Sequence, residues 1–304
     1  WEMKVKRDSI QGWLFLAPAL ILLVAYLVYP CLSTLKMSFY GGQGFSPKRF
    51  VGFANYARLL GGGDSLFLNL KWPPSGALIN NILWILFFSG GTVVIGLAIA
   101  VLADGLRLEK IFKSLIFLPM IISATAASVI FRFLYSPDPH IGLLNALISS
   151  ISPGKKPIPW LGSTDIVNIA LIGAGIWIWT GLSMTVLSAA YKSLDREILE
   201  AAKVDGASSW TCFWRISLPM LEDQIVFVAI TMIINSLKLV DLVLVMTGGG
   251  PMGSSRTIGF SFYWEVFNNN LVGYGSAIAM ILLILLIPFM VFQVRRIKAQ
   301  ESYR

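Results

Sequence analysis

Apolar residues gather in six long runs, at about 13–38, 78–103, 115–135, 166–191, 225–247 and 272–294, with polar segments between them. A helix needs roughly 20 apolar residues to cross the hydrocarbon of a bilayer, so each run predicts one transmembrane helix. The first run is too long for a cleavable leader and has no small-residue cleavage site, so it is expected to be kept as a span. Gly90-Gly91 and Gly96 in the second run, and Gly173, Gly175 and Gly181 in the fourth, are spaced to let helix backbones approach closely. Gly90-Gly91-Thr92 could equally mark a kink. The outer segments 39–76 and 136–165 are rich in Gly, Pro and Ser and predict ordered caps and turns. The expectation is an all-α membrane protein whose residues 1–304 form a single transmembrane domain.

Composition agrees with this pattern. Hydrophobic residues are 56% of the chain and charged residues 13%, about half the charge of an average soluble domain. The net charge of +8 does not point to nucleic acid, because basic residues sit at the ends of apolar runs and not in stretches interleaved with aromatics. Fourteen of them fall on one side: Lys4, Lys6, Arg7, Arg107, Lys110, Lys113, Lys192, Arg196, Lys203, Arg215, Arg295, Arg296, Lys298 and Arg304. Seven fall on the other: Lys48, Arg49, Arg58, Lys71, Lys155, Lys156 and Arg256. The excess of positive charge marks the cytoplasmic side, which places both termini and the segment 192–223 inside the cell. Cys31 and Cys212 form no metal spacing and are not expected to pair. The single His140 has no partners for a catalytic triad, and no G-x-x-x-x-G-K-[ST] phosphate loop occurs, Gly154-Lys155 being the nearest fragment. The chain is therefore expected not to be an enzyme, to hold no metal or cofactor, and not to hydrolyse ATP itself.

The polar segment 192–223 carries the most specific pattern, Glu200-Ala-Ala-Lys-Val-Asp-Gly206 followed by Ile216-Ser-Leu218-Pro219, or EAA-x3-G-x9-I-x-L-P. Leu199, Ala202, Val204 and Ala207 offer a short apolar stripe, while Glu197, Glu200, Lys203 and Asp205 point elsewhere. This predicts a short amphipathic helix ended by Gly206, where a left-handed residue is cheapest. An ordinary helix lying flat on the bilayer would look similar. The spacing resembles the signature loop of ABC-importer permeases. Further stretches resemble the carbohydrate branch of that family: Phe15-Leu-Ala-Pro, Tyr29-Pro30, Met37-Ser-Phe39, Phe50-Val-Gly-Phe-Ala-Asn55-Tyr56, Asn80-Asn81, Phe117-Leu-Pro119, Tyr135-Ser-Pro-Asp, Gly142-Leu-Leu-Asn145, Thr247-Gly-Gly-Gly-Pro251 and Thr257. Together they cover nearly the whole chain.

The resemblance implies a type I ABC-importer permease core of six transmembrane helices, with a cytoplasmic coupling helix between helices 4 and 5. It implies a multi-pass subunit of the cell inner membrane working with a second permease, homologous or identical. The other partners would be two ATPase subunits, which hold ATP and Mg, and an external binding protein that delivers a sugar or oligosaccharide. Glu197 to Ser208 would dock in the ATPase, Ala201 and Ala202 permitting close approach and Glu200 accepting a hydrogen bond or ion pair. Leu199 and Val204 would fill apolar contacts, Asp205 and Gly206 would close the helix, and Ile216, Leu218 and Pro219 would hinge it onto the fifth span.

Polar residues inside spans are costly unless they line a cavity or pair. The fifth span holds Met232, Asn235, Ser236 and Leu239 at the spacing of one helical face, with Lys238 and Asp241 nearby. The fourth adds Trp177 and Trp179, on different faces, with Thr180 and Ser183. Aromatic faces with amides and hydroxyls suit a sugar path, though Asn235 and Ser236 serve helix–helix hydrogen bonds equally well and Lys238 and Asp241 could neutralise one another. Arg132 reads as a snorkelling side chain at the membrane edge. Permeases for glycerol phosphate, amino acids or peptides share parts of this pattern. An ion-coupled secondary transporter would need inverted repeats and a mid-membrane carboxylate, for which Asp241 is the one acidic candidate in a span.

Overall fold

The hydropathy pattern folds into helices in the computed structural model, which describes residues 13, 15–44, 49–69 and 75–302. Lys4, Lys6, Arg7, Lys48, Lys71 and Arg304 of the charge count lie outside the described residues. Among the described residues four helices are long and apolar enough to cross a membrane: α1 (Phe15–Ser38), α3 (Ala77–Leu102), α7 (Val167–Lys192) and the apolar part of α13 (Val272–Ser302). Two bent pairs could raise the number of spans to six.

The third and fifth runs are therefore not the simple straight spans that hydropathy predicts. The third is split between α4 (Glu109–Ile121) and α5 (Ala124–Leu134), which meet at 100°. Pro119 offers no backbone N–H to the last turn of α4, Ile122 is extended, and the Ser123 hydroxyl accepts from Ala126 N–H to start α5. The fifth follows α9 (Ser209–Met220), bends by 68°, and continues as α10 (Glu222–Leu237). It then breaks at Lys238–Val240 before the short α11 (Asp241–Met246).

Contacts divide the chain into two compact units. The first comprises residues 1–61 and 262–281. Here a two-stranded antiparallel pair, β1 (Tyr40–Gly41) and β2 (Arg49–Phe50), adds a small non-helical element to the expected outer cap. The helix α2 (Ala54–Leu60) follows, and its Asn55 side chain donates to the carbonyls of Ser38 (2.8 Å) and Tyr40 (3.0 Å), closing the end of α1. Tyr56 OH donates to Ser38 Oγ at 2.7 Å. At the start of α13, Gly273 lies directly on the Tyr40 carbonyl, which leaves no room for a Cβ.

The second unit comprises residues 62–261 and 282–304. Its centre is the packing of α7 against α3 and α4, where Gly91, Gly96, Gly175 and Gly181 lie at the close approaches their spacing predicts, whereas a Cβ on Gly90 would meet nothing within 4 Å and one on Gly173 only the Tyr135 hydroxyl at 3.5 Å. A Cβ on Gly96 would lie 2.6 Å from Ser183 Cβ, one on Gly175 2.9 Å from the Trp84 ring, and one on Gly181 2.8 Å from the Ile116 carbonyl oxygen. A π-helical turn over Trp84–Ser89 ends at Gly90, so α3 does carry a local irregularity there. The outer segment 136–165 contributes α6 (Leu143–Ile151). A further short helix, α12 (Ile258–Tyr263), follows the glycine loop 247–251.

Candidate functional site

The candidate site has two parts, the insert that follows α7 and a cavity farther along the same helix. At residue 195 the chain leaves α7, and the Asp195 carboxylate accepts from Glu197 N–H at 2.9 Å, capping α8 (Arg196–Val204). Gly206 ends the helix with φ +84°. Its N–H donates to the Lys203 carbonyl (3.0 Å) and the Ala207 N–H to the Ala202 carbonyl (2.9 Å), the paired bonds of a Schellman cap.

The faces of α8 differ from the expected stripe. Leu199, Ala202 and Ala207 are half-buried against the chain, but Val204 is 87% exposed. At 3.6 residues per turn Val204 lies about 140° round the helix from Leu199. It shares an outward face with Glu197, Glu200 and Ala201, all exposed, and Asp205 is exposed beside it. Beyond α8, Ile216 and Leu218 are half-buried and Pro219 is exposed, and the bend predicted near Pro219 occurs at Leu221 (φ −93°, ψ 0°). Trp210 and Trp214 stack edge-on at 5.4 Å with both rings exposed, an amphipathic pair of the kind found at bilayer surfaces.

A cavity of about 140 Å³ lies between α3, α5, α7 and the broken fifth run. Of the predicted path residues Trp179, Asn235, Lys238 and Leu239 line it. Three others do not. Met232 and Ser236 lie in the unbroken part of α10, about 60° and 100° round the helix from Asn235, and are buried in the core. Trp177 packs edge-on against Phe131 at 5.3 Å and is 42% exposed. Asp241 lines the cavity together with Lys238, yet among the described residues the two form no ion pair, so the expected neutralisation is absent. Trp84 and Phe88 also line it and were missed, since the second run was read only for its glycines. The Trp84 indole N–H is buried and has no partner among the described residues.

Buried amides behind the cavity hold the break open. Asn81 donates to the Ser236 carbonyl (3.1 Å) and accepts from Ile258 N–H (2.7 Å). Asn80 donates to the Arg256 carbonyl (2.8 Å) and accepts from Asn168 (3.0 Å). The Thr257 hydroxyl donates to the Leu239 carbonyl at 2.8 Å, satisfying a group that the missing helical turn leaves without its usual partner. Arg132 is exposed on α5 and reaches the Val245 carbonyl at 3.4 Å, outside the cavity lining.

Apolar spans, an exposed polar helix between two of them, and an aromatic and amide-lined cavity walled in part by those two spans define the layout of a membrane permease. The chain belongs to the family described as binding-protein-dependent transport system inner membrane component, which matches residues 92–298. It is 43% identical over 295 residues to the osmoprotective compounds uptake permease protein GgtC of Synechocystis sp., covering 96% of this chain and all of that one. It is 37% identical to the alpha-glucoside transport system permease protein AglF of Rhizobium meliloti (95% of this chain, 82% of that). Among solved structures, a permease chain of a bacterial ABC transporter that imports alginate shares the fold, with TM-score 0.74, 19% identity and coverage of 96% and 99%.

Proposed function

We propose that this chain is one permease subunit of an ATP-driven importer that carries a sugar or small glycoside into the cell. The observation that carries the reading is the position of α8. It is an exposed, Schellman-capped helix hung between α7, which brings Trp179 to the cavity, and the run that brings Asn235, Lys238 and Leu239 to it. A push on α8 therefore acts on both walls. The relatives named for alpha-glucoside and lactose transport support a carbohydrate cargo, as does a cavity that pairs aromatic side chains with an amide.

In this reading the chain is a single permease domain with six crossings, the two bent pairs each making one, and both termini lie in the cytoplasm. A second permease completes the pore, two ATPase subunits supply the motion, and an external binding protein delivers the cargo. The outward face Glu197, Glu200, Ala201 and Val204 seats in an ATPase cleft, with Glu200 accepting from it. Leu199 and Ala202 hold α8 to its own chain, Asp205 and Gly206 close it, and Ile216, Leu218 and Pro219 lead into the pivot at Leu221. ATP-driven closure of the ATPase pair moves α8 and switches the cavity between the two sides of the membrane.

Two variants test this reading in the reconstituted complex. Glu200→Arg places a cation where an acceptor is needed, and substrate-stimulated ATP hydrolysis is expected to fall at least tenfold, the scale of about 1.4 kcal/mol. Asn235→Ala is expected to weaken uptake while leaving ATPase association intact. Normal stimulated hydrolysis in the first variant would remove α8 from the pathway, and normal uptake in the second would remove the cavity.

A further inference from the structure

The insert meets the rest of the chain at two non-helical points, the Ser193–Leu194 turn and the Leu221 bend. Either point could absorb a displacement of α8 instead of passing it on. The helix makes no ion pair of its own to prevent that: among the described residues Glu197, Glu200, Lys203 and Asp205 carry none. Both points, however, are clamped on their far side.

Lys192, the last residue of α7, forms an ion pair with Glu109 of α4 at 2.5 Å and lies 4.0 Å from Asp104. Glu109 is fixed in turn by Lys113 at 2.6 Å, one helical turn along, and Lys113 donates to Ser188 of α7 at 2.5 Å. The Glu109 side chain is only 15% exposed. On the other side of the insert, Glu222 and Asp223 open α10. Arg296 of α13 spans both, at 2.9 Å and 3.0 Å, with each nitrogen of the guanidinium fork on a separate carboxylate.

We infer that Glu109 and Arg296 are positioning residues that anchor the two roots of the insert to α4 and α13, so that displacement of α8 moves whole helices and not two loose chain ends. The inference rests on the reading of α8 as the receiver of ATPase motion. Isolated surface ion pairs contribute little to stability. These two differ because each lies within one residue of a pivot and joins helices distant in sequence.

The test uses the complete importer, both permeases with ATPase subunits and binding protein, in proteoliposomes. Sugar uptake per ATP hydrolysed is measured for wild type, Glu109→Gln, Arg296→Gln and Arg296→Lys. Each single neutralisation is expected to lower uptake per ATP about fivefold or more, the lower end of coupling between sites. Arg296→Lys is expected to lose coupling as well, because a single ammonium cannot span two carboxylates. Uptake per ATP within twofold of wild type in Arg296→Gln and Arg296→Lys overturns the inference. So does a loss in which uptake and hydrolysis fall in proportion. Should Glu109→Gln fail to assemble, the two Arg296 variants decide the matter. A wild-type complex whose ATP hydrolysis ignores the liganded binding protein would instead defeat the underlying reading of α8.

Discussion

Gly206→Ala isolates the C-terminal cap of α8 from every other property of the insert. A Cβ built at Gly206 meets no atom within 4 Å, so the substitution adds no clash. What remains is the backbone. At φ +84° an L-residue costs about 1–2 kcal/mol relative to glycine. The cost falls on the two cap bonds, Gly206 N–H to the Lys203 carbonyl and Ala207 N–H to the Ala202 carbonyl. A penalty of that size raises the opening equilibrium of the cap about 5- to 30-fold. Hydrogen exchange of the peptide covering 199–209 in the purified complex reads this directly. Exchange at Ala207 should quicken by that factor in the alanine variant and by less in Gly206→Asn, because asparagine tolerates the left-handed region. Substrate-stimulated ATP hydrolysis should fall in the same order, glycine above asparagine above alanine. Exchange in the alanine variant within twofold of wild type, or asparagine faring worse than alanine, would refute the backbone argument.

Further outcomes follow from the packing and the polar groups. Gly96→Val would drive a side chain into Ser183 Cβ at 2.6 Å and the Met184 backbone at 2.9 Å, and is expected to cost about 3 kcal/mol, read as a lowered thermal midpoint of the purified protein. Asn81→Leu leaves the Ile258 N–H without its partner, about 1–3 kcal/mol, and the Ser236 carbonyl with only the 3.4 Å bond from Leu239 N–H, and should weaken sugar uptake because both groups frame the break at Lys238. Glu109, at the polar start of α4 before the apolar run, is held at about 2 against an ordinary 4.5, first by Lys113 and then by Lys192. Because its pKa is depressed on folding, its contribution is complete above about pH 4.5 and is lost as pH falls through about 2. Wild type and Glu109→Gln should therefore differ in stability at pH 6 and converge on acidification, and an equal gap at pH 6 and pH 3 would contradict this.

Much of this architecture was legible because bilayer physics writes it plainly. Apolar run length marked the helices, and the glycines of the second and fourth runs marked the close α3–α7 contact. The EAA-to-Gly206 spacing marked a short capped helix. What hydropathy could not show was where an apolar run stops being straight. The turn at Ile122–Ser123 depends on one proline and one capping serine, and the break at Lys238–Val240 depends on partners far away in sequence. Asn81 lies 155 residues from the Ser236 carbonyl it holds, so its role could not be read from local pattern, although Asn80-Asn81 was a visible oddity in an apolar run. Within α10 the angle round the helix separates Met232 and Ser236, in the core, from Asn235, at the cavity, and only Leu239 owes its place to the break. Val204 was misplaced for a simpler reason: the stripe was counted by residue type and not by angle. Trp84 and Phe88 carried a usable signal, two aromatics one helical turn apart beside a π-helical turn, but nothing in the run distinguished them from lipid-facing side chains.

The central claim is that ATP-driven motion enters through α8 and moves a sugar through the cavity whose walls α8 joins. ATP-dependent uptake of a labelled neutral glycoside into proteoliposomes holding the full complex, with and without the external binding protein, tests it most directly. The account predicts uptake that requires both ATP and the binding protein and that Glu200→Arg abolishes without loss of the assembled complex. Uptake that proceeds without ATP, or that survives Glu200→Arg undiminished, would contradict it.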